Sequence, residues 1–206
     1  MFYDILDNER KNILPKLSFL KDRFYLAGGT ALALQFGHRD SVDFDFFSEK
    51  DFDTVGLYNE LSEIFGKDTV IKVMEEKNTL YVFIDEKIKL SFISYQYPLL
   101  ENLIQDEFLN IAHFIDIGCM KLSAIVSRAV EKDYVDLFFI FKKISLKELL
   151  AKAKEKMPTL DTNLILKSLV YFDDIEKEKI NFKHNFEVSF DEIKDFISNE
   201  VKNSVL

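Results

Sequence analysis

With 206 residues, 48% of them hydrophobic and 31% charged, the chain carries enough apolar mass for one or two packed cores and too much for a disordered polypeptide. Its net charge of −9 argues against a protein that coats nucleic acid without selectivity, because such binding runs on phosphate neutralisation. A single cysteine, Cys119, excludes an internal disulfide, its spacing to His38, His113 and His184 matches no zinc site, and no apolar run reaches bilayer length. Met1 to Leu20 holds Asp4, Asp7, Glu9, Arg10, Lys11 and Lys16 where a signal peptide needs an apolar core, so the expected location is the cytoplasm, with no membrane partner.

In chain order, Phe24–Ala27, Val42–Phe47, Thr69–Met74, Leu80–Ile84 and Ile88–Ser94 are short and rich in β-branched or aromatic residues, which predicts strands. Asp85, Glu86 and Lys87 form a hairpin-sized connection between the last two. Thr30–Phe36 and Thr54–Phe65 have helical composition and spacing. From about Asp116 onward the apolar residues recur at helical intervals. Asp161 or Thr162 is a candidate cap for a helix reaching Phe172, and Ser189 with Glu192 is a capping-box pattern. The chain therefore reads as α+β over residues 1–110, followed by a mostly α-helical domain over residues 111–206.

Nine Lys/Arg lie between Asp116 and Lys156 against six Asp/Glu, which makes that stretch +3 and the remainder −12. This bias reads either as solvated helix faces or as a local anion-binding surface. The segment Lys142 to Lys156 is where a polyanion would be drawn.

Gly28-Gly29-Thr30 follows a predicted strand and opens a predicted helix, so free backbone N–H groups at a positive helix end are available to phosphate oxygens. A glycine pair also occurs in strand-to-helix turns with no ligand. Asp43-Phe44-Asp45 follows thirteen residues after the pair. Strand alternation puts both carboxylates on one face and turns Phe44 and Phe46 into the core. Two adjacent carboxylates supply hard oxygen ligands for Mg²⁺ or Mn²⁺, the ions that phosphoryl and nucleotidyl transfer use; the plain alternative is a solvent-facing strand edge, which apolar Val42, Phe44, Phe46 and Phe47 weigh against.

The glycine pair, the thirteen-residue interval and D-x-D together resemble the signature of polymerase-β-like nucleotidyltransferases. The longer strings Gly28-Gly29-Thr30-Ala31-Leu32-Ala33-Leu34 and His38-Arg39-Asp40-Ser41-Val42-Asp43-Phe44-Asp45-Phe46-Phe47 resemble the AbiEii/AbiGii toxin family. So do Lys121-Leu122-Ser123-Ala124-Ile125, Arg128 and Lys132-Asp133-Tyr134-Val135-Asp136-Leu137. The resemblance implies a nucleotidyltransferase domain built on a mixed β-sheet, followed by a helical domain, with a nucleoside triphosphate as substrate and Mg²⁺ or Mn²⁺ as cofactor. It also implies a toxin paired with a cognate antitoxin in a phage-defence (abortive infection) or stress module, with tRNA or another RNA as acceptor.

On this resemblance Asp43 and Asp45 bind metal and act in catalysis, and Gly28, Gly29 and Thr30 cradle the triphosphate. Arg39, Ser41 and Arg128 contact nucleotide or phosphate, while Ser41 reads equally as a turn residue. Lys121 and Arg128, seven apart on a predicted helix, neutralise charge on the phosphates or belong to a surface. Asp133 and Asp136, three apart on a predicted helix, orient Lys121, Lys132 or Arg128 or act directly. His38 reads as a packing residue. Such folds carry a third carboxylate on a neighbouring strand, and in Ile88-Lys89-Leu90-Ser91-Phe92-Ile93 that place falls to Ser91. Three functions follow: transfer of a nucleoside monophosphate to RNA, a weak or inactive member that acts by binding nucleotide or a partner, and kinase-like phosphate transfer to protein.

Overall fold

The computed structural model describes residues 1–183 and 185–205; His184, weighed above for zinc, lies outside the described residues. Contacts divide the chain into one compact unit of Met1–Pro98 with Asn102–Ala112 and a second of Leu99–Glu101 with His113–Leu206.

The first unit holds one seven-stranded sheet. Its strands are β1 (Tyr25–Ala27), β2 (Phe44–Ser48), β3 (Val70–Glu76), β4 (Thr79–Ile84), β5 (Ile88–Ser94), β6 (Ile104–Gln105) and β7 (Asn110–Ile111), in the order β3-β4-β5-β2-β1-β7-β6. β2 runs parallel to β5 and β1 parallel to β7, and the remaining pairs are antiparallel, so the sheet is mixed. Alternation along β2 buries Phe44 and Phe46 and leaves Asp45 and Phe47 half-exposed on the opposite face. Phe46 stacks on Phe92 at 5.2 Å between ring centroids, and Phe24 meets Phe92 edge-on at 5.4 Å. The β4–β5 connection places Asp85 and Glu86 at φ 52° and 58°, torsions that suit a tight hairpin between right-twisted strands.

Three helices complete this unit: α1 (Asn8–Leu17), α2 (Gly28–Phe36) and α3 (Thr54–Phe65). Asp7 caps α1 and Asp53 caps α3 through side-chain oxygens, while α2 stops at Gly37, whose φ of +68° closes a left-handed end. The start of β2 differs from the expected strand Val42–Phe47. Val42 is exposed, and the ladder begins only at Phe44. The carbonyls of Val42 and Asp43 are taken instead by the side chains of Arg10 and Thr30.

The second unit contains α4 (Phe114–Ser127), α5 (Glu131–Phe141), α6 (Leu146–Lys156), α7 (Thr162–Val170) and α8 (Phe190–Val205). A core of Tyr134, Phe138, Ile193, Ile197 and Leu149 joins them, with Phe138 edge-on to Phe196 at 5.0 Å. Ser145 with Glu148 makes a reciprocal capping box at α6, and Ser189 with Glu192 forms the same exchange before α8. α7 ends at Val170, two residues short of the expected Phe172, because the Tyr134 hydroxyl takes the carbonyls of Ser168 and Tyr171 at its end. Among the described residues, no helix is long and apolar enough to cross a membrane.

Candidate active site

The first unit brings together Gly28, Gly29, Thr30, Arg39, Ser41, Asp43 and Asp45. β1 delivers the chain to Gly28, which takes φ +68°, and a Cβ there would stand 2.8 Å from Asp45 Oδ2. The Asp45 carboxylate thus packs against the backbone of the first turn of α2, a contact open only to glycine. A Cβ on Gly29 would stand 2.6 Å from Arg39 Nη2 and 3.5 Å from Ser41 Oγ. Arg39 is buried and donates through Nη1 to the carbonyl of Asp40 at 3.0 Å, so its positive charge sits beside the glycine pair. The N-cap residue of α2 is Ala27, which supplies no capping side chain.

Thr30 is buried, and its hydroxyl donates to the Asp43 carbonyl. Ser41 Oγ is therefore the donor in its 2.7 Å contact with Thr30 Oγ1, and both hydroxyl protons are engaged within the protein. The two residues fix the entry to β2 just ahead of the carboxylates. His38 is fully buried, with its ring 6.1 Å from that of Phe36.

Sequence reasoning missed Arg10. Its buried guanidinium donates through Nε to the Val42 carbonyl at 2.6 Å, through Nη2 to the Lys87 carbonyl at 3.3 Å, and through Nη1 to Asp7. Arg10 thereby ties α1, the β4–β5 hairpin and the residue before Asp43 together. Nothing in the spacing of residues 10 and 42 could have signalled this.

Ser91 faces Asp45. The pairings Ala27 with Asp45, Asp45 with Ser91 and Ser91 with Tyr81 form one row across β1, β2, β5 and β4. Directly paired residues share a face, so the Ser91 side chain neighbours the Asp45 carboxylate.

The donor set fits a hard divalent ion. Asp43 is exposed and Asp45 half-exposed, and both offer oxygen ligands. Among the described residues no group of three or more His, Cys, Asp or Glu is placed to hold a metal. Two carboxylates suit an ion that keeps water and substrate phosphates as its other ligands.

In the second unit, Lys121 on α4 is buried between two α5 carboxylates, 2.5 Å from Asp133 Oδ1 and 2.6 Å from Asp136 Oδ2. Arg128 lies one residue past α4 with extended torsions, so it does not share a helical face with Lys121 as its spacing suggested. Its Nε pairs with Asp133 Oδ2 at 3.1 Å, while its side chain is 61% exposed. Lys132 turns to Glu178 at 2.7 Å.

The basic stretch needs a correction. Lys156 and Asp116 form a 2.7 Å ion pair with both side chains fully buried, and Asp116 also accepts N–H groups of Leu100 and Glu101. Lys156 therefore adds nothing to a surface that could attract a polyanion. Burial pushes the Cys119 thiol up to about 12, which leaves it protonated and unreactive.

Over residues 13–199 the chain matches the family of the nucleotidyl transferase AbiEii toxin of type IV toxin–antitoxin systems. An uncharacterized protein of Aquifex aeolicus (strain VF5) is 40% identical over 205 residues, covering 96% of each chain. Among solved structures, the nucleotidyltransferase toxin MenT4 of Mycobacterium tuberculosis H37Rv superposes with a TM-score of 0.60 at 14% identity, over 96% of this chain and 82% of that one. JHP933 of Helicobacter pylori gives 0.56 at 19% identity, over 97% and 93%.

Proposed function

The chain belongs to the AbiEii family of nucleotidyltransferase toxins, and from that premise we propose that it transfers a nucleoside monophosphate from a nucleoside triphosphate to a hydroxyl of an RNA acceptor, tRNA among them. The observation that carries the reading is the Asp45 carboxylate packed on Gly28 at the first turn of α2, two residues beyond Asp43. In this reading amides that bind an anion and carboxylates that hold a metal would meet there.

In this reading the N–H groups of Gly28 and Gly29 meet phosphate oxygens, and Arg39 adds positive charge beside them. Asp43 and Asp45 would hold Mg²⁺ or Mn²⁺, which supplies Lewis-acid stabilisation of the charge that develops on the phosphates. Thr30 and Arg10 hold the carbonyls of Asp43 and Val42 at the entry to β2, and Ser41 donates to Thr30. The acceptor hydroxyl releases its proton to solvent as its oxygen bonds to the α-phosphorus, the bond from that phosphorus to the bridging oxygen breaks, and pyrophosphate leaves. In the helical unit, Asp133 and Asp136 position Lys121, and Asp133 orients Arg128 toward a phosphate. A cognate antitoxin as partner and the cytoplasm as location complete the proposal, supported by the type IV family assignment.

A second reading, a slow enzyme or a member that acts by binding, is favoured by Ser91 beside Asp45. Incubation with cellular RNA, a divalent ion and triphosphates labelled at the α- or γ-phosphate separates the possibilities. Label retained on RNA from the α-position alone supports nucleotidyl transfer. Retention from the γ-position, on protein or RNA, contradicts it.

A further inference from the structure

Beside Arg128 the helical unit carries a groove of about 600 Å³, set among the end of α4, the first half of α5 and the end of α7. This is the size of a site for a nucleotide-scale ligand. Its floor is apolar, made by Ile125 and the ring of Tyr134, both buried. The Tyr134 hydroxyl is committed to the carbonyls of Ser168 at 2.8 Å and Tyr171 at 3.4 Å. Burial, reinforced by the nearby Asp133 carboxylate, pushes Tyr134 up to about 12, so it remains a neutral donor.

The rim has a different chemistry. Arg128 is engaged through Nε with Asp133, which aims the guanidinium and leaves its terminal nitrogens directed elsewhere. Lys167 is exposed on the last turn of α7. Tyr171 exposes 51% of its surface next to Val170 at the groove's edge, and its hydroxyl donates to Asp174 Oδ2 at 3.0 Å. An aromatic face, an apolar floor and two cations are what a nucleotide requires: a surface for the base and donors for the phosphate.

Charge decides which nucleotide. With Asp174 beside the two cations and Asp133 paired to Arg128, the rim carries no surplus positive charge. That tolerates one phosphodiester and opposes a triphosphate. We propose that the groove is a subsite for one nucleotide of the RNA acceptor, its base on Tyr171 and its phosphodiester on Lys167 and Arg128. The proposal rests on the RNA-acceptor reading above, and the donor triphosphate is the other source of the same chemistry.

The test uses the full chain as wild type, Tyr171→Ala, Tyr171→Phe, Lys167→Ala and Lys167→Arg. A fluorescent single-stranded RNA is titrated across a salt series, and magnesium–triphosphate affinity is measured separately by calorimetry. Tyr171→Ala should weaken RNA binding about tenfold while Tyr171→Phe binds like wild type, since stacking needs the ring and not the hydroxyl. Lys167→Ala should lower the logarithmic salt slope by about 0.7, and Lys167→Arg should restore it. Triphosphate affinity should not change in any of the four. If wild type labels RNA and the alanine variants bind it equally well, the subsite is overturned and the transferase reading stands. A fall in triphosphate affinity with RNA binding intact assigns the groove to the donor and likewise overturns the proposal. If wild type transfers nucleotide only to a non-RNA acceptor, the RNA reading fails and the subsite fails with it.

Discussion

Ser91 on β5 stands directly beside Asp45 on β2 in a parallel pairing, so a buried neutral hydroxyl neighbours the carboxylate that packs on Gly28. A carboxylate at this position would add a hard oxygen ligand and a proton acceptor for the attacking hydroxyl. Ser91→Asp should therefore raise both manganese affinity and transfer rate, the rate by up to about 10²-fold, the usual contribution of a positioned base. Manganese titration and single-turnover transfer check this. An unchanged rate from a wild type that is already fast would show that position 91 is not the missing ligand.

Arg10 acts on the site from α1, where its guanidinium holds the Val42 carbonyl just ahead of Asp43. Arg10→Ala should destabilise the fold by about 2–3 kcal/mol, as expected for lost hydrogen bonds from a buried charged group. Triphosphate affinity should fall in the protein that remains folded. Arg10→Lys should not rescue it, because an ammonium cannot reach Val42, Lys87 and Asp7 from one planar group. Full affinity in folded Arg10→Ala would remove Arg10 from the positioning machinery.

The same contact gives a pH dependence. Partial burial of Asp7 works to raise its carboxyl pKa, but the backbone N–H and guanidinium of Arg10 outweigh it and hold the carboxyl below its ordinary value. With the folded value below the unfolded one, the stabilisation is complete above about pH 4 and is lost as pH falls through the lower folded value. Thermal melts of wild type and Asp7→Asn should converge as acid is added. A constant gap between them down to the lowest pH would contradict the assignment.

The regions legible in the sequence were those where one physical signal dominated. β-Branched and aromatic content marked β4 and β5, helical spacing marked α3 with the bounds Thr54–Phe65, and the glycine pair with the D-x-D marked Gly28 and Asp45, which meet at the start of α2. Val42 misled because an apolar residue before a strand looks like its first member, although a side chain and not a neighbouring strand takes its carbonyl. α1 was hidden because Glu9, Arg10, Lys11 and Pro15 interrupt the stripe of Ile13, Leu14 and Leu17. β6 and β7, two residues each, carry no period at all. The Lys156–Asp116 pair spans forty positions, and composition counted Lys156 as surface charge when it is fully buried.

That pair makes its own prediction. Lys156→Met would leave the Asp116 carboxylate buried without a counter-ion and should destabilise the protein by about 3–5 kcal/mol. Adding Asp116→Asn should recover part of the loss, because an amide oxygen can still accept the N–H groups of Leu100 and Glu101. Denaturant midpoints for the two single variants and the double variant measure this coupling. Simple additivity would mean that the two side chains do not depend on each other.

Gly28→Ala places a methyl group 2.8 Å from Asp45 Oδ2 on a backbone at φ +68°. The torsion alone should destabilise by about 1–2 kcal/mol, and the displaced carboxylate should weaken metal binding as well. Gly29→Ala meets the end of the Arg39 side chain and, at 3.5 Å, Ser41 Oγ, but without a left-handed torsion, and should be milder in stability. Melting temperatures and manganese affinities of the two variants would rank them, and the reverse order would contradict the packing of Asp45 on Gly28.

The central claim is that Asp43 and Asp45, set against the start of α2, form a metal-dependent triphosphate site. Calorimetric titration of a nucleoside triphosphate into wild type and into Asp43→Ala/Asp45→Ala, each with Mg²⁺ and with a chelator, tests it most directly. Binding by wild type only when Mg²⁺ is present, and none by the double variant in either condition, is the predicted result. Equal affinity in both proteins, or wild-type binding that survives the chelator, would contradict it.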